Sequence, residues 1–131
     1  IDDDLKILYN DQDGTFTFGS PEMTLNSAWD ARVPTCGDFD GDGHADVIVG
    51  IQSDVADWLE LYTGDGNGNL TYHSIVGNSD ATGNWDVHGG WPVDVEGDGD
   101  PDALVAANFD SRNLFSGKIQ LYQSFSSIQQ P

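Results

Sequence analysis

The stretch DFDGDGHADVIVG, from Asp38 to Gly50, sets four carboxylates at positions 38, 40, 42 and 46, with glycines at 41 and 43, and runs directly into an apolar segment. Oxygen donors at the first, third and fifth places of such a loop can converge on one point. Glycine permits the tight reversal, and the seventh place can offer its backbone carbonyl. A helix–loop–helix calcium hand needs a bidentate Glu at the twelfth place and a helix after it. Here the twelfth place is Val49, inside an apolar run whose length and β-branched content predict a strand. The loop therefore belongs to a β protein.

The same pattern returns once. WDARVPTCGDFDGDGHADVIVG, residues 29–50, aligns without a gap on WDVHGGWPVDVEGDGDPDALVA, residues 85–106, at an offset of 56. Two copies with the same alternate spacing are poorly explained as solvated acidic turns, although Asp and Gly are common in turns for other reasons. Hard oxygen ligands in a roomy, flexible loop favour Ca²⁺ over Mg²⁺. The first candidate site comprises Asp38, Asp40, Asp42 and Asp46 with the His44 carbonyl; the second comprises Asp94, Glu96, Asp98 and Asp102 with the Asp100 carbonyl. Glu96 is one methylene longer than its counterpart Asp40, which predicts a looser or shifted second site.

Upstream of each copy, LKILYNDQDGTFTF (residues 5–18) corresponds to LELYTGDGNGNLTY (residues 59–72), two alternating apolar runs about an Asp/Asn/Gly cluster. That is a hairpin signal. A partial third copy, KIQLYQSF, occupies residues 118–125. Strands are predicted at 5–9, 15–18, 33–38, 46–51, 58–62, 70–75, 91–95, 102–107 and 118–125, and no helical periodicity of useful length competes with them. Residues 45–51 and 103–107 are apolar apart from Asp46 and Gly50, as suits strands covered on both faces. The fold class is all-β, built of small stacked sheets.

Composition narrows the partners. The chain has 131 residues, about one domain, with 23 acidic against 4 basic residues and a formal charge of −19. Nucleic acid and anionic membrane surfaces both require Lys and Arg, so neither is expected as a partner, whereas cations are. A hydrophobic content of 37% in regular short runs argues against disorder. The single cysteine, Cys36, permits neither an intrachain disulfide nor a cysteine-rich metal cage and reads as a small buried apolar residue.

With these motifs in view, DFDGDGHADVIVG and DVEGDGDPDALVA resemble the FG-GAP or VCBS-type repeat of integrin-α-like β-propellers. The resemblance implies tandem four-stranded antiparallel blades, with each acidic loop joining a blade's first two strands and binding one Ca²⁺, two ions in all. In this register one domain spans 1–131: trailing strands of an incomplete blade at 1–32, a complete blade at 33–89, and a second blade at 90–131. Two repeats are fewer than the four to eight blades of a typical closed propeller. Incomplete sheets at both ends leave open edges, which predicts either a piece of a longer propeller, as in a larger adhesion protein, or, the favoured reading, association with copies of the same chain, head to tail by strand addition, as a ring or filament.

The implied function is a non-catalytic, extracellular structural or adhesion module. A carbohydrate-binding lectin is the alternative, with Trp58, Tyr72, Trp85 and Trp91 as candidate sugar platforms; a glycan or cell-surface protein would be the partner. Catalysis is not expected, since His44, His73 and His88 are scattered and no nucleophile context is recognisable. Trp29–Asp30 and Trp85–Asp86 read as packing and turn residues. Asn69-Leu70-Thr71 fits an N-glycosylation sequon in a hairpin.

Overall fold

The computed structural model describes residues 4–19, 23–26, 30–53, 57–78, 84–110 and 116–122. Among them every regular element is a strand, and every pairing is antiparallel. In chain order the strands are β1 (Asp4–Leu5), β2 (Leu8–Asn10), β3 (Phe16–Phe18), β4 (Met23–Thr24), β5 (Asp30–Gly37), β6 (Asp46–Gln52), β7 (Trp58–Gly64), β8 (Leu70–Asn78), β9 (Asn84–Val93), β10 (Asp102–Asp110) and β11 (Ser116–Tyr122).

The central sheet is a four-stranded meander, β5-β6-β7-β8, and a three-stranded sheet, β9-β10-β11, follows it. Before it come the hairpin β2-β3 and the short pair β1-β4. Alternation along β6 and β7 explains why the central sheet is covered on both faces. Val47, Val49 and Ile51 point one way with Tyr62, and form a cluster with Leu25 that Leu5 and Leu70 flank. Ile48, Leu59 and Leu61 point the other way and pack on Ala103 and Val105 of β10. Each buried Val, Leu or Ile contributes about 1.5–3 kcal/mol relative to exposure. Residues 46–51 thus hold the N-terminal segment on one side and the C-terminal sheet on the other.

Between the two larger sheets, β5 lies against β9. A side chain at Gly90 would collide with Thr35, and a Cβ at Gly37 would sit 3.1 Å from Pro92 Cβ. At position 90 only glycine allows this approach, while at position 37 a side chain would press its neighbours apart. Because the acidic loops leave β5 and β9, they emerge side by side, and a Cβ at Gly41 would lie 4.0 Å from Asp100 Oδ1.

Several strand bounds differ from expectation. The predicted strand 5–9 is two short strands, because Leu5 pairs with Met23 while the Ile7 carbonyl accepts the Gly19 N–H at 2.7 Å. β4 has no sequence signal at two residues. β5 starts three residues before Val33, and its register shifts between Arg32 and Thr35, where Pro34 has no N–H to donate. β9 runs from Asn84 to Val93 rather than 91–95, since the Val95 N–H turns into the loop to donate to Asp102 Oδ2 at 3.0 Å. Of the predicted strand 118–125, residues 123–125 lie outside the described residues; so does Trp29.

Candidate metal centre

The first acidic loop is held open by its own backbone. Gly43 takes φ +88° and donates its N–H to Asp38 Oδ2 at 2.9 Å, which folds the chain back over the first carboxylate. A residue with a Cβ would meet steric cost at that φ. The Asp42 N–H donates to Asp40 Oδ1 at 3.1 Å and the His44 N–H to Asp42 Oδ1 at 2.8 Å, two successive turns closed by aspartate side chains.

The outcome is a convergent trio. Carboxylate oxygens of Asp38, Asp40 and Asp42 all lie within 4.8 Å of one another. Asp38 Oδ1 is buried and accepts no hydrogen bond. A buried carboxylate oxygen without a donor costs several kcal/mol unless a cation faces it. Burial raises the Asp40 pKa, and the charges of Asp46, Asp42 and Asp38 raise it further. All three observations fit a hard divalent cation, with the Asp38, Asp40 and Asp42 carboxylates as its side-chain donors.

Asp46 sits apart from the trio. It is fully buried; Oδ2 accepts the N–H groups of Phe39 (2.7 Å) and Asp40 (3.2 Å), and Oδ1 accepts the Gly64 N–H (3.0 Å). It therefore ties the loop's entrance to the end of β7. Asp102 repeats this position, buried, with Oδ2 accepting the Val95 N–H at 3.0 Å.

In the second loop the first carboxylate is spent differently. Asp94 Oδ1 accepts the Gly97 (2.6 Å) and Asp98 (3.2 Å) N–H groups, and Oδ2 accepts that of Gly99 (3.0 Å). The Asp100 N–H donates to Asp98 Oδ1 at 3.0 Å. Among the described residues, Asp94, Glu96 and Asp98 do not form a convergent group. The two loops share a backbone course but differ in how their carboxylates are aimed.

The β7-β8 hairpin abuts the first loop. A Cβ at Gly66 would lie 2.5 Å from the His44 ring, and one at Gly64 would strike the Ala45 carbonyl. Within that hairpin Asp65 accepts from Asn69 Nδ2 (2.7 Å) and from the Asn67 (2.8 Å) and Asn69 (3.1 Å) N–H groups, which together hold its pKa at about 2. Asn69 is exposed, as a sequon requires, with its amide turned to Asp65.

On the central sheet's N-terminal side lies a polar network that the sequence did not signal. Buried Glu60 accepts from Tyr62 Oη (2.6 Å) and Trp58 Nε1 (2.9 Å), while Tyr62 Oη accepts the Asn26 N–H (2.8 Å). Burial, then the bond to Glu60, pushes the Tyr62 phenol well above its ordinary range. An acidic residue alternating with aromatics, W-L-E-L-Y, was the available hint.

The remaining candidates separate. Trp58 is packed, Trp91 and Tyr72 are exposed, and the side chain of Trp85 lies outside the described residues, as does that of His88. His73 Nδ1 lies 3.0 Å from Ser74 Oγ, exposed on β8. Beside the first loop an apolar cavity of about 420 Å³ is lined by Leu5, Ile7, Pro34, Val47 and Leu70 and by Cys36, which is exposed rather than buried as expected.

Residues 2–49, which include the first acidic loop, match the family of the FG-GAP-like repeat. No curated protein and no solved structure matches the chain.

Proposed function

We propose that the chain, whose residues 2–49 match the FG-GAP-like repeat, is a Ca²⁺-stabilised, non-catalytic module of β-propeller type that serves structure or adhesion outside the cell. The observation that carries the reading is the buried, donorless Asp38 Oδ1 within the Asp38/Asp40/Asp42 trio. Bound Ca²⁺ relieves the mutual repulsion of these carboxylates and fixes the turn. The His44 carbonyl adds a backbone donor to the first site, and Asp46 braces the loop from behind through its bonds to Phe39, Asp40 and Gly64 and would join the ion only by giving one of them up. Asp94, Glu96, Asp98, the Asp100 carbonyl and Asp102 form the second, which must re-aim Asp94 to take an ion. Two ions bring the formal charge from −19 to about −15.

Association between copies, head to tail, is part of the proposal. On β2-β3, Leu8 (50% exposed) lies opposite Phe18 (67%), with Phe16 (59%) on the same face, while Tyr9 faces the other way. At the far side of the molecule Trp91 (61% exposed) shares a face with Leu104, turned away from Ala103 and Val105. Stacking one copy's hairpin face on another's C-terminal sheet covers both, as the central sheet is covered within the chain. Copies this acidic repel, and bound cations lessen that repulsion, so association is favoured by the cation. Solution mass measured with Ca²⁺ and with chelator tests it: growth of oligomers only with Ca²⁺ is expected, and a monomer at high concentration in Ca²⁺ contradicts head-to-tail assembly.

Exposed Trp91 supports carbohydrate binding as the second reading, since an open indole face suits a sugar ring. Glycan binding in Ca²⁺ that disappears in Trp91→Ala would establish it; no binding in the native chain removes it.

A further inference from the structure

We infer that the first acidic loop controls the docking of the N-terminal hairpin β2-β3 through a chain of contacts along the β7-β8 hairpin, so that cation occupancy and hairpin docking are thermodynamically linked. The inference rests on the cation reading of the Asp38 trio. Its first contact is Asp46, whose carboxylate spans the loop's Phe39 and Asp40 N–H groups and the Gly64 N–H. The second is the His44 ring, seated on Gly66 so closely that no side chain fits there. At the far end of the same turn, Tyr9 Oη donates to the Gly68 carbonyl at 3.1 Å, and its ring fills the space where a Gly68 side chain would stand.

Alternate glycines 64, 66 and 68 therefore carry three contacts in five residues: two from the acidic loop and one from β2. Leu5 packs on the central sheet, but support for β2-β3 itself is thin, because Leu8, Phe16 and Phe18 are all exposed. Among the described residues the hairpin β2-β3 is a two-stranded sheet of its own, with no ladder to β5-β8. Two strands alone are marginal in water. Its order depends on what Tyr9 rests against. When the trio is unpaired, carboxylate repulsion loosens residues 38–46, and His44 and Asp46 pass that looseness to the β7-β8 turn. A cation reverses it. Linkage requires the reverse as well: undocking Tyr9 weakens the cation.

Two backbone bonds report each hairpin separately, Asp65 N–H to the Asn69 carbonyl (3.2 Å) and Asp11 N–H to the Thr15 carbonyl (3.1 Å). Amide exchange of the 131-residue chain, with Ca²⁺ and with chelator, is read at both amides beside a calorimetric Ca²⁺ titration. Expected is binding, with exchange at Asp65 and Asp11 slowed about tenfold. In Tyr9→Phe the slowing persists at Asp65 and is lost at Asp11, and Ca²⁺ affinity falls about threefold, the worth of one lost hydrogen bond. In His44→Ala, which spares the backbone carbonyl, the slowing is lost at both. Ca²⁺ binding without change at either amide overturns the linkage and leaves the cation reading standing. Equal slowing in every sheet, unaffected by Tyr9→Phe, also overturns it. Absence of binding removes the cation reading and the linkage together.

Discussion

The Asp46 carboxylate accepts the Gly64 backbone N–H at 3.0 Å across 18 residues of sequence, while its other oxygen holds Phe39 and Asp40. One buried side chain thus joins the acidic loop to the β7-β8 turn. Asp46→Asn keeps the size but sets an NH₂ against backbone donors. The expected loss is about 1–3 kcal/mol, the cost of leaving a buried donor unsatisfied. Urea unfolding in chelator measures it, since no ligand effect enters there; an unchanged midpoint would show that the bracing is not needed.

Tyr62→Phe removes the hydroxyl that links Glu60 to Asn26. Glu60 is then left buried with Trp58 Nε1 as its remaining described hydrogen-bond partner, and the loss expected is about 2 kcal/mol. The native phenol should also stay protonated until the protein unfolds in alkali, given its upward shift from burial and from Glu60. Absorbance near the phenolate band resolves this, and ionisation of all the tyrosines near pH 10 while folded would contradict it.

Gly43→Ala and Gly66→Ala separate backbone strain from crowding. Both glycines have positive φ, but a Cβ at Gly43 meets nothing within 4 Å while one at Gly66 meets the His44 ring. The first substitution should cost about 1 kcal/mol and the second clearly more. Equal losses in thermal melts would remove the His44–Gly66 contact from the account.

Asp65 predicts an acid dependence of known sign. Its folded pKa of about 2 lies below the ordinary 3.8 because Asn69 and the Asn67 and Asn69 N–H groups stabilise the charged form. The contribution is therefore complete above the unfolded value and is lost as pH falls from about 3.8 towards 2. Asp65→Asn should flatten the stability change over that window. A carboxyl titration by NMR giving an ordinary value for Asp65 would contradict it.

Much of the β architecture was legible because it rests on local pattern. The alternation of 46–51, the offset of 56 and the Asx/Gly turns place β6, β7, β8, β10 and both acidic loops. What escaped depends on partners distant in sequence. Asp46 reads as a loop carboxylate until Gly64 is beside it, and nothing singles out Glu60 until Tyr62 and Trp58 close on it. The short β4 has no period of its own and exists only because Leu5 pairs with Met23. Differences between the loops were foreshadowed at Glu96, yet the observed divergence also lies in Asp94, whose two oxygens are taken by backbone.

Calorimetric titration of Ca²⁺ into the native chain, Asp38→Ala and Asp94→Ala tests the central claim most directly. The native chain should bind Ca²⁺ with one tighter and one weaker site. Asp38→Ala should abolish the tighter one and Asp94→Ala only the weaker, with melting temperature raised by Ca²⁺ in the native chain. A native chain that shows neither heat of binding nor any shift in melting with Ca²⁺ would contradict the account.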